Sequence, residues 1–77
     1  MTDNSVRATA DAIARYLAAY PVAADTVDGV QQWWLRPSGV EATRDVTEAA
    51  LRLLEIEQRV ECLSRAGREI WRARRTD

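Results

Sequence analysis

The feature that most narrows the fold is a change of hydrophobic period inside "ALRLLEIEQRVECLSRAGREIWRARR", residues 50 to 75. Its leucines recur at helical spacing, but from Arg59 onward "RVECLS" and "REIWRA" alternate at period two around "RAGR". That alternation is the pattern of a short antiparallel hairpin, with Ala66 and Gly67 as its turn. The turn sets the register. Cys62 then faces Trp71 and Val60 faces Ala73 on the core side, with Glu61 opposite Arg72 and Leu63 opposite Ile70 outside. A one-residue change in loop length would exchange these faces.

Three helices precede the hairpin. Val6, Ala10, Ile13, Leu17 and Tyr20 form one apolar stripe over about Ser5 to Tyr20, with Arg7, Asp11 and Arg15 opposite, Asn4 as the expected N-cap and Pro21 as the stop. "ADTVDGVQQWWL" reads as a shorter helix capped by Asp25 or Thr26, with Val27, Val30 and Trp34 on one face. Trp33 lies to the side of that face, because neighbours on a helix are about 100° apart. It either covers the margin of the core or stands out as an interface anchor. "RPSGVEA" reads as a loop, in which Ser38 and Glu41 are a possible capping box and Thr43 is the preferred N-cap of the third helix. That helix runs to about Glu57, with Val46, Ala49, Ala50, Leu53, Leu54 and Ile56 assigned to its apolar side. Arg44, Glu48, Arg52 and Glu55 are assigned to the other side, spaced to pair with one another.

Seventy-seven residues make one domain with a small core, residues 1–77, expected to be ordered over about 5–73. Composition removes whole classes of chemistry. There is no histidine, and all eleven basic residues are arginine. The commonest general base, a Schiff-base lysine and a phosphate-binding loop ending in Gly-Lys are therefore missing. Cys62 is the only cysteine and reads as a small buried hydrophobe, which fits a reducing compartment. No enzymatic activity, metal or cofactor is expected. No apolar run approaches the roughly 18 residues of a membrane span, and "MTDNSV" lacks the features of a secretory signal, so a cytoplasmic location is expected.

Net charge is −1, but its distribution is uneven. Residues 1–42 hold three arginines against five acids, whereas residues 64–75 hold five arginines against Glu69 alone.

Three helices and a hairpin in this order make an α+β fold that resembles a small winged helix. "ALRLLEIEQRVE" is similar to the stretch of GntR-type bacterial regulators in which Ala50, Leu51, Leu54 and Val60 would hold the third helix on the core. Gln58 stands where those proteins usually have glycine. The resemblance implies DNA contacts by Thr43 and Arg44 at the start of the third helix, but Glu48 occupies a position that is commonly basic or polar.

Two functions follow as expectations. The first is a protein-interaction or regulatory adaptor, motivated by a self-neutralised third helix and by apolar side chains that look surplus to the core: Trp33, Leu51, Leu63 and Ile70. The second is a DNA-binding regulator using Thr43, Arg44 and Arg52 in the groove, with Arg65, Arg68, Arg74 and Arg75 on phosphates. For the hairpin arginines the alternative is structural: Arg72 pairs with Glu61 and the rest keep an edge strand soluble. A homodimer is compatible with the sequence but not readable from it.

Overall fold

The computed structural model describes residues 2–74, with side chains from residue 5 onward. Helix α1 spans Thr2–Ala19, so Asn4 lies inside the helix and is not its cap. It ends two residues ahead of Pro21, as proline's restriction on the preceding residue requires. Ala10, Ile13 and Leu17 are buried along one stripe, while Tyr20 at its end is exposed. Arg7, placed by the sequence opposite the apolar stripe, reaches across to Glu57 at the end of the third helix, with Nη1 and Nη2 donating to the carboxylate at 2.8 and 3.3 Å. Its Nε comes within 3.4 Å of Asp11 without hydrogen-bond alignment. The Arg7 guanidinium holds the Glu57 carboxyl below the usual carboxylate range.

The second helical segment starts at Thr26, whose hydroxyl accepts from the Gly29 amide. A single turn, α2 (Val27–Gly29), widens into a π-helical stretch, Val30–Leu35, and tightens into a 3₁₀ turn, Arg36–Ser38. Pro37 explains the widening. In an α-helix its ring would press on the Trp33 carbonyl four residues back. Here the Arg36 amide reaches the Gln31 carbonyl instead, and the Ser38 hydroxyl donates to the Trp34 carbonyl at 2.9 Å. Ser38 is thereby used at the end of this segment, and the capping box with Glu41 does not form. Gly39, at φ 82°, turns the chain away.

Helix α3 spans Arg44–Ile56, with the Thr43 hydroxyl accepting from the Val46 amide at 3.1 Å. Its end is a Schellman motif: the Gln58 amide bonds to the Glu55 carbonyl and the Arg59 amide to the Leu54 carbonyl. Gln58 takes the left-handed conformation, at φ 62°. The residue that departs from the GntR-like pattern thus adopts a conformation that glycine accepts without penalty. Gln58→Gly is expected to raise stability by about 1 kcal/mol, the cost of holding a side chain in that region. Urea denaturation would read it, and a loss of stability would contradict this account of the cap.

Strands β2 (Val60–Arg65) and β3 (Arg68–Ala73) pair as the sequence indicates, from Val60↔Ala73 through Cys62↔Trp71 to Arg65↔Arg68. Ala66 and Gly67 both have positive φ, 52° and 77°, as a two-residue type I′ turn demands. A third strand, β1 (Ala24–Asp25), is an addition to the expected hairpin: it pairs with β3 through Ala24↔Arg72 and Asp25↔Trp71, giving the order β1-β3-β2. Two residues carry no period, so only the tertiary pairing defines this strand. The result is a small α+β winged helix. Trp34 stacks on Tyr16, with ring centroids 4.8 Å apart, and the core closes with Val27, Val30, Leu35, Ala50, Leu51, Leu54, Val60 and Trp71.

Candidate interaction surface

Four residues set which way α3 faces: Thr47, Ala50, Leu51 and Leu54 are all buried against the core. At about 100° per residue, the side farthest from them carries Asp45, Ala49, Arg52 and Ile56. Leu51 is therefore not a partner-facing residue. It lies one turn beyond Thr47, on the same face, and has no exposed surface. Ile56, assigned to the apolar side by the sequence, is 78 % exposed because it sits roughly 200° around the helix from Leu54. Leu53, half-buried, and Ala49, exposed, continue an apolar strip on this side.

Neither arginine of α3 offers free positive charge. Arg44 Nε donates to Asp28 at 2.7 Å, pairing with the second helical segment and not with Glu48 as its spacing suggested. That hydrogen bond and the adjacent negative charge raise its pKa. Arg52 lies 4.9 Å over the Trp71 ring and approaches Glu69, Glu48 and Glu55 at 3.2, 3.4 and 3.7 Å. Partial burial works against its charge, and the three carboxylates outweigh it, so its pKa is also raised.

The shallow cleft between the start of α3 and the wing turn is lined by Asp28, Arg44, Arg68 and Glu69, two charges of each sign. Thr43, expected at a DNA contact, spends its hydroxyl oxygen on the α3 cap.

Unpaired basic charge sits elsewhere. Arg65 and Arg68 face each other across the turn, both exposed and without an ion pair among the described residues. Arg74 is exposed at the base of the wing, where its amide donates to the Arg59 carbonyl, and Arg75 lies outside the described residues. Arg72 pairs with Glu61 at 2.6 Å, as the cross-strand register requires.

The remaining apolar candidates fall in two places. Trp33 projects from the π-helical stretch, 67 % exposed. Leu63 and Ile70 are direct cross-strand neighbours on the outer face of the wing, each half-buried. Cys62, opposite Trp71, is also half-buried, and burial pushes its thiol up in pKa, away from the reactive thiolate.

No protein-family model matches the chain, and no curated protein or solved structure matches it either. No helix among the described residues is long and apolar enough to cross a membrane. The fold and surface together define a class: a winged helix whose third helix presents neutralised arginines and an apolar strip.

Proposed function

We propose that the chain is a non-enzymatic winged-helix binding module, an adaptor that docks a partner protein in the cytoplasm, related in its third helix and wing to GntR-type regulators. The observation that carries this reading is the pairing of both α3 arginines. Nucleic-acid affinity rests on basic side chains that neutralise phosphates. Arg44 already neutralises Asp28 and Arg52 is surrounded by Glu48, Glu55 and Glu69, and the surface adds Asp45. Trp33 and Ile56 are the anchors for the partner, because large exposed apolar side chains give the most free energy when a partner desolvates them. The relation to GntR-type regulators draws support from Ala50, Leu51, Leu54 and Val60, all buried, and from the backbone of Gln58.

The free arginines of the wing turn favour a second reading, in which Arg65 and Arg68 hold DNA phosphates. Fluorescence anisotropy against a duplex library separates the two. Weak binding that fades as salt rises, insensitive to Arg44→Ala, is expected. Sequence-selective binding tighter than about 10⁻⁸ M that Arg44→Ala abolishes would establish the DNA-binding reading instead. On the protein side, a partner captured by the parent chain should be lost on Trp33→Glu or Ile56→Glu, with the thermal melt unchanged.

A further inference from the structure

The wing leaves one strand without an outer neighbour. In the order β1-β3-β2, strand β2 pairs only with β3, so one edge of Val60–Arg65 is open among the described residues. The direction of its backbone groups can be read from one bond. The Arg74 amide donates to the Arg59 carbonyl, which makes Arg59 and Arg74 a hydrogen-bonded pair. Bonded and non-bonded pairs alternate along an antiparallel ladder, so Glu61, Leu63 and Arg65 bond inward to β3. Val60, Cys62 and Ser64 therefore turn their N–H and C=O groups toward the open edge.

Natural edge strands are commonly guarded by proline, a bulge or charges that would repel a second copy. Strand β2 has no proline, and its ladder with β3 runs unbroken from Val60 to Arg65. Its outward side chains are Glu61, Leu63 and Arg65, an apolar residue flanked by charges of opposite sign.

We propose that two copies of this chain pair antiparallel along β2, with Leu63 on the two-fold axis, joining their sheets into one. This register matches every position. Glu61 of each copy, which already accepts from Arg72 of its own chain through one carboxylate oxygen, also faces Arg65 of the other copy, otherwise unpaired among the described residues, and the two Leu63 side chains meet with Ile70 alongside each. Cys62 faces Ser64 of the other copy, and both residues have edge-directed backbone groups to exchange. Sliding the pairing to centre on Cys62 sets Glu61 against Leu63 and leaves Arg65 without a carboxylate. The occupant that fits the charge pattern is thus the strand itself. Because Cys62 does not face Cys62, the dimer is independent of a disulfide. The inference stands apart from partner docking through Trp33 and Ile56, which lie on other elements.

Sedimentation equilibrium of the full chain tests it. A reversible monomer–dimer equilibrium is expected in the micromolar range, as for other small interfaces, unchanged by reductant and weakened by salt. Ser64→Pro removes an N–H that points away from β3, so it should abolish the dimer while circular dichroism and melting stay those of the folded monomer. Arg65→Glu, at an exposed residue, places like charges together at two symmetry-related contacts and should weaken the dimer about tenfold. A parent chain that stays monomeric up to about 1 mM overturns the proposal and leaves the edge to a foreign strand. A dimer that survives both variants also overturns it, by placing the contact elsewhere.

Discussion

Trp71→Ala is expected to cost about 3–5 kcal/mol, the range for truncating a large aromatic in a core. The Trp71 side chain has no exposed surface and carries the Arg52 guanidinium 4.9 Å above its ring. It is also the β3 residue that faces both Cys62 and Asp25, so its loss opens a cavity where all three strands meet. Small domains have a total stability of about 5–15 kcal/mol, so this loss removes a large part of it, and the melting temperature should fall by roughly 12–40 °C. Trp71→Phe should fare better than the change in volume suggests. The indole Nε1 is buried without a hydrogen-bond partner among the described residues, and phenylalanine removes that unsatisfied donor, whose burial costs about 1–3 kcal/mol. Calorimetry of the two variants reads both effects. A parent-like melt for Trp71→Ala would mean that the ring is not in the core.

The second large effect separates two residues that the sequence pattern assigns the opposite way round, with Ile56 on the core side and Leu51 outside it. Leu51→Ala should cost about 2–5 kcal/mol, because its side chain fills the space between α3 and the core. Ile56→Ala should stay within about 0.5 kcal/mol of the parent, as surface substitutions do. Denaturant midpoints decide. If Ile56→Ala is the costly change, the helix is rotated from the orientation described.

The reason that rotation was hard to read lies in Thr47. Thr47 is not among the apolar residues whose spacing defines the face, and without it the pattern centres on Val46 and Ala49 and away from Leu51. Yet Thr47 is fully buried, and its hydroxyl donates to the Thr43 carbonyl one turn back at 2.8 Å. A threonine satisfied in this way serves as a core residue. The hairpin was legible to the residue because period two and a two-residue turn admit one register. Strand β1 was not, since Ala24 and Asp25 have no preference for extended structure and are held by their pairing with β3. The exposure of Trp33 was one of two open readings, and Pro37 in the following turn accounts for how that segment is wound. At the surface, the neutral character of α3 was visible in its spacing. The partners were different, because Asp28 and Glu69 come from elements that spacing along one helix cannot bring in.

The small strand β1 also bears on how this surface meets a ligand. By tying Ala24 and Asp25 to Arg72 and Trp71, it fastens the chain after the first helix to the last strand, so the wing is pinned along both sides of β3 over these residues. A hairpin held at one side can swing as a flap and must be immobilised at each encounter, with a loss of entropy that weakens binding. Here the shelf is built before anything arrives. Association should therefore show little slow rearrangement, and amide exchange at Ile70, Trp71 and Arg72 should be as slow as at Leu54 in the core. Protection confined to the helices would show that the wing opens on its own.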